Sequence, residues 1–144
     1  MTRKVLVIGL GLIGGSIALS CQKAPNTKVI GYDLSEKTRE LAKTLNIVHE
    51  VTSNVQEAAE TSDIIIFGTP VNATLDWMDK LKGWSLKETV IVTDTGSTKG
   101  LIMKKAEELR EKGITFIGGH PMAGSHKSGI TAAKPYRFEH AYYI

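Results

Sequence analysis

The sequence predicts an α/β fold built on a doubly wound, mostly parallel sheet, and three observations carry that expectation. Short β-branched runs alternate with segments of helical periodicity along the chain. The first run passes straight into Gly9-Leu10-Gly11-Leu12-Ile13-Gly14. An acid, Asp33, ends the second run, 19 residues after Gly14.

Taken in order, Lys4–Ile8 reads as a strand and Ile13–Cys21 as a helix, with Lys28–Tyr32 as the second strand. Ser35 has the chemistry of a helix N-cap, and Leu41, Ala42 and Leu45 fall on one face of the helix it starts. Val48–Val51 fits a short third strand, followed by a short helix near Asn54–Glu60. Ile64–Phe67 is a continuous apolar strand. Val71, Leu75, Met78 and Leu81 then recur at helical spacing, and Thr89–Thr93 reads as another strand. Thr98 opens a helix with Ile102, Ala106 and Leu109 on one face and Gly113 as its stop. Thr115–Ile117 is a further strand. A loop of roughly 20 residues follows, a length that within a compact domain points to function. The apolar run Ala141–Ile144 then reads as one more strand, and the chain stops inside it. The expectation is one dinucleotide-binding domain over residues 1–144, a piece of a longer two-domain protein.

Composition narrows the function classes. The 144 residues are 42 % apolar, enough for one packed core and against disorder. No apolar run approaches the roughly 20 residues of a membrane helix. Glycines punctuate the apolar start, which argues against a signal peptide and for a cytoplasmic protein. Cys21 is the single cysteine, so no internal disulfide forms; Ile17 and Ala18 place it on a buried helix face. The net charge of +3 is spread evenly, compatible with anionic small ligands and too weak for nucleic acid. Neither a nucleic-acid nor a membrane partner is expected.

The glycine stretch is G-x-G-x-x-G at a strand-to-helix junction, the phosphate-binding turn of a Rossmann-type fold. Gly9 permits the tight turn, Gly11 lets backbone approach a pyrophosphate, and Gly14 lets helix and strand pack closely. The first helical turn, with Leu12 and Ile13, adds free N–H groups and positive potential. A carboxylate at Asp33 can accept hydrogen bonds from the adenosine ribose and repels a 2′-phosphate. Leu34 and Ser35 follow it with no Arg, which favours NAD over NADP. In such a sheet ligands lie beyond the C-terminal strand ends. Gly68-Thr69-Pro70, Asp94-Thr95-Gly96-Ser97 and Gly119-His120-Pro121 all follow strands and belong on that edge. Thr69 and Pro70 are therefore cofactor-side candidates, although Pro70 also suits a helix start. Ser97 suits a helix cap and a substrate contact equally. His120 and His126 lack a Cys or acidic companion at ligand spacing, so no metal is expected. His49, His126 and His140 read as surface or structural.

The stretches GLGLIGGS, YD, TDTGSTKG and above all GGHPMAGSHKSG resemble the N-terminal domain of the prephenate dehydrogenase family. The combination D-x-G-S-x-K with G-G-H-P-M-A-G-S is the specific part, and FEHAYYI also resembles the family's following segment. The resemblance implies oxidative decarboxylation of prephenate to 4-hydroxyphenylpyruvate with NAD, in tyrosine biosynthesis. It implies that His120 is the catalytic His at the substrate's ring hydroxyl and that Ser97 lies near the same group. It also implies a second, helical domain, outside this chain, that forms a homodimer and supplies an Arg for the substrate carboxylates. The same motifs suit arogenate dehydrogenase, and the sequence leaves that choice open. A β-hydroxyacid dehydrogenase shares the glycine loop without needing the His120 loop. A non-catalytic NAD-binding module is the remaining alternative.

Overall fold

The computed structural model describes residues 2–95 and 99–118. Six strands form one parallel sheet: β1 (Arg3–Ile8), β2 (Thr27–Tyr32), β3 (Glu50–Val51), β4 (Ile64–Phe67), β5 (Ile91–Asp94) and β6 (Thr115–Ile117). Their order is β3-β2-β1-β4-β5-β6, the doubly wound arrangement with its switch point between β1 and β4. The helices α1 (Leu12–Lys23), α2 (Glu36–Thr44), α3 (Val55–Glu60), α4 (Val71–Leu81) and α5 (Lys99–Glu111) fill the crossovers. The predicted run Ala141–Ile144 and the loop before it lie outside the described residues.

Strand alternation divides the core between the two faces. Val5 and Val7 point into one cluster with Ile17, Ala18 and Cys21 of α1. Leu6 and Ile8 point into the other, with Met78 and Leu81 of α4 and Leu109 of α5. All of these are buried. β1 and β4 therefore read as continuous apolar runs, as central parallel strands must, because both faces are covered.

Local chemistry sets the helix ends. Ser35 accepts the amide of Thr38 at 3.2 Å and caps α2 as expected. Asn54 caps α3 through the amide of Glu57. Gly113, at φ +82°, ends the turn after α5. On α2 only Ala42 of the predicted apolar face is buried; Leu41 and Leu45 are 39 % and 45 % exposed. The helix is short and lies at the sheet margin, so one small residue suffices for its contact. The third strand is two residues long, because Ile47 and Val48 turn into the core before pairing begins. His49 continues the edge: its amide donates to the Val29 carbonyl, and its Nδ1 accepts the Val29 amide at 2.8 Å. Across the other face, Lys82 and Lys105 of the α4–α5 pair bridge Asp79 and Glu108 in one ionic network.

Cys21 is fully buried, and burial pushes its thiol from 9.0 up to about 12. The folded thiol thus stays protonated where the unfolded one ionises. Its contribution to stability is complete below about pH 9 and is lost as pH rises toward 12. A thiol reagent added to native protein at pH 8 should leave Cys21 unmodified, and urea should expose it to stoichiometric reaction. Rapid labelling of the folded protein would contradict the burial.

Candidate dinucleotide site

The strand register brings four loop starts into one row. Ile8 lies opposite Tyr32 and Phe67, and Phe67 opposite Asp94. One residue further on, Asp33, Gly9, Gly68 and Thr95 stand side by side at the C-terminal edge. The ladder continues into that row: Gly9 donates its amide to Tyr32 O, Gly68 to Ile8 O and Thr95 to Phe67 O, at 2.7, 2.7 and 3.0 Å.

Close backbone approach holds the row together. Gly9 has φ +95°, a conformation that disfavours any side chain. A Cβ on Gly14 would lie 1.8 Å from the Gly9 carbonyl oxygen. A Cβ on Gly68 would lie 2.7 Å from the Gly14 Cα. These three glycines let α1 start directly over the exits of β1 and β4. Gly11 differs: a Cβ there would meet no atom within 4 Å. Its bareness serves no internal packing and leaves an open cradle beside the helix start.

That cradle fits a pyrophosphate. Gly11 occupies the N-cap position of α1 and offers no side chain to the first-turn amides. The first turn carries no acid, so nothing of the helix's own competes for its positive end. Leu12 and Ile13 fall in this turn, half-buried, where the backbone is the available donor.

Asp33 stands beside the cradle and ties two loops. Its Oδ2 accepts the Leu10 amide at 2.9 Å, and its Oδ1 accepts the Ser35 amide at 2.9 Å. The carboxylate is thereby fixed at the edge of the glycine loop, with lone pairs left for a ribose hydroxyl. Leu34, 88 % exposed, stands on the same turn. Arg39 also reaches this turn: its Nη1 donates to the Asp33 carbonyl at 2.7 Å. No Arg directly follows Asp33 in the chain. The signal lay one helical turn further on, since helix side chains lean back toward the N-terminus.

On the far side of the row, the hydroxyls of Thr69 and Thr74 lie 2.7 Å apart, and Thr74 also donates to the carbonyls of Thr69 and Pro70. Pro70 sits at the N-cap of α4 without a side-chain cap, and Thr74 ties the turn instead. Thr95 donates its hydroxyl to Phe67 O at 2.9 Å, clamping the exits of β4 and β5. Gly9, Leu12, Ile13, Gly14, Asp33, Thr69 and Pro70 thus share one edge with Gly11. Ser97 and His120 lie outside the described residues. A separate cleft of about 330 Å³, lined by Trp84, Leu86 and Lys112 among others, opens at the N-terminal ends of β5 and β6, away from this edge. Among the described residues no three His, Cys, Asp or Glu side chains gather as a metal set, and no helix is long and apolar enough to cross a membrane.

Comparison with known proteins agrees with this geometry. Residues 17–144 match the family described as prephenate dehydrogenase, nucleotide-binding domain. A prephenate dehydrogenase of Lactococcus lactis subsp. cremoris is 44 % identical over 144 residues, covering 99 % of this chain and 40 % of the relative. The prephenate dehydrogenase of Aquifex aeolicus, solved with hydroxyphenyl propionate and NAD+, superposes with a TM-score of 0.81 at 32 % identity. That match covers 98 % of this chain and 49 % of the solved one. A Synechocystis arogenate dehydrogenase structure gives a TM-score of 0.78 at 36 % identity, over 92 % of this chain and 45 % of that one. The chain therefore spans less than half the length of these relatives.

The glycines separate into two experimental classes. Gly14→Ala should destabilise the fold by about 3 kcal/mol or more, because the Gly9 carbonyl blocks the Cβ. Gly11→Ala should keep stability within about 1 kcal/mol and weaken NADH binding by at least about tenfold, since only a ligand would meet the new methyl. Urea unfolding and calorimetric titration check the pair; wild-type affinity in Gly11→Ala would remove the pyrophosphate from the cradle.

Proposed function

Because the chain belongs to the prephenate dehydrogenase family, as its nucleotide-binding domain, we propose that the protein carries out the NAD-dependent oxidative decarboxylation of prephenate to 4-hydroxyphenylpyruvate. The observation that carries the reading is the fixed Asp33 carboxylate beside the open Gly11 cradle, joined to the D-x-G-S-x-K and G-G-H-P-M-A-G-S motifs of the same chain. Residues 1–144 make up one dinucleotide-binding domain, whose cofactor is NAD. The reaction belongs to tyrosine biosynthesis and takes place in the cytoplasm, in a homodimer whose dimer surface and carboxylate-binding Arg lie in a further helical domain.

The cradle's backbone amides hold the pyrophosphate, and Asp33 takes the adenosine ribose hydroxyls. Thr69 and Pro70 border the cofactor on the far side. When bound, the nicotinamide supplies the hydride acceptor. His120 accepts the hydrogen bond of the ring hydroxyl on prephenate and draws off its proton as the carbonyl develops. Ser97 orients that hydroxyl. Loss of the ring carboxylate as carbon dioxide restores aromaticity and drives the step, so positioning and a proton acceptor are the main demands. These roles of His120 and Ser97 rest on the motif resemblance and on their places after β5 and β6.

A second reading, arogenate as substrate, is favoured by the likeness to the Synechocystis arogenate dehydrogenase. Both substrates present the same hydroxyl and ring carboxylate to His120, so the choice falls on groups that read the side chain. Parallel assays with NAD and each substrate decide it.

His120→Asn should lower kcat by about 10²- to 10⁴-fold, as expected for loss of a general base, with NAD affinity nearly unchanged. Ser97→Ala should cost less, because it removes a hydrogen bond and keeps the acceptor. The acidic limb of the kcat profile should disappear in His120→Asn. Near-normal turnover with that limb intact would make His120 a structural loop residue.

A further inference from the structure

We propose that Arg39 is a latent ligand for the 2′-phosphate of a phosphorylated dinucleotide, held out of use by the carboxylate of Asp33. The inference rests on the reading that the glycine loop holds a dinucleotide, and it names what sets the choice between the two cofactors. Arg39 is not a free surface cation. Its Nη1 is fixed on the Asp33 carbonyl at 2.7 Å, and its guanidinium stands 5.9 Å from the centre of the Tyr32 ring. Tyr32 and Asp33 are consecutive, so the cation is docked at the turn that receives the ribose. One N–H of five is used by the carbonyl, and the guanidinium keeps a fork for phosphate oxygens. Among the described residues Arg39 makes no ion pair, with Asp33 or with any other acid.

The Asp33 carboxylate blocks this cation in two ways. Its charge repels a 2′-phosphate that carries between one and two negative charges near neutral pH. It also occupies two donors that a phosphate would want, the amides of Leu10 and Ser35. Replacing Asp33 by a short neutral residue removes the charge and frees both amides beside Arg39. A phosphate could then take the place of the carboxylate, accepting from the same amides and from the guanidinium. An Arg near the end of the second strand is how this fold class accommodates the 2′-phosphate. Here that Arg comes from the first turn of α2, four residues after the N-cap Ser35.

The test is fluorescence or calorimetric titration of NADH and NADPH against wild type, Asp33→Ser, Arg39→Gln and the double variant. Wild type should favour NADH by about 100-fold or more. Asp33→Ser should gain about 10- to 100-fold in NADPH affinity, and the double variant should lose that gain while matching Asp33→Ser for NADH. The gain should also shrink as salt rises. Asp33→Asn, which keeps an acceptor oxygen for the turn, makes the same comparison if the Ser variant loses its fold. A gain that persists without Arg39, or no gain in either Asp33 variant, overturns the inference while wild-type NADH binding stands. Wild type that binds neither nucleotide overturns the dinucleotide reading itself.

Discussion

The close contact between the backbones of Gly9, Gly14 and Gly68 is the constraint on which the rest of the site depends. With 1.8 Å between a virtual Cβ on Gly14 and the Gly9 oxygen, no side chain fits between the end of β1 and the start of α1. The same contact includes β4 through Gly68. The positive end of α1 is thus set over the switch point of the sheet, where β1 and β4 diverge to opposite crossovers. Interiors are dense and yield little, so a contact of this kind leaves the helix axis little freedom.

Around that fixed point the hydrogen bonds are distributed by function. Backbone ladders run one residue past each strand, so Asp33, Gly9, Gly68 and Thr95 form a level edge. Side chains then tie neighbouring exits: Asp33 joins the β1 and β2 loops, and Thr95 joins β4 to β5. The Asp33 tie satisfies the amides of Leu10 and Ser35, and the Thr95 hydroxyl adds a second donor to the Phe67 carbonyl that its own amide already reaches. At the start of α1 the capping position is Gly11 and no side chain caps the first turn, as at Pro70 before α4. Of these two starts, the one at Gly11 also has open space where a side chain would stand, which suits it to an anion.

The ionic ties of the domain lie away from this edge. The two apolar clusters on the sheet faces carry the burial, and the α4–α5 ionic network and the Asp63 contacts with Lys4 and Lys87 lie on other surfaces. Lys4 donates its amide to Asp63, and this bond more than any other holds that carboxyl below its usual range.

The sequence by itself determined the fold class, the order of elements and the place of the glycine turn between β1 and α1. Those depend on local features: β-branched runs, helical periodicity, caps such as Ser35, and a glycine pattern whose spacing is set by one turn of chain. Ile64–Phe67 and Thr115–Ile117 fall where the sequence placed them: the first is an apolar run between Asp63 and Gly68, and the second is a β-prone stretch bounded by Gly113 and Gly118. The tertiary structure alone decided which residues meet across the chain. No local pattern links Asp33 to the Leu10 amide 23 positions away, or Gly68 to Gly14, because the parallel register brings them together. Nor could periodicity say that Leu41 and Leu45 stay exposed while Ala42 is buried, since that depends on where α2 meets the sheet. Arg39 joined the site for the same reason: its place was set by the direction in which a helix side chain leans, and its partner by the turn before the helix.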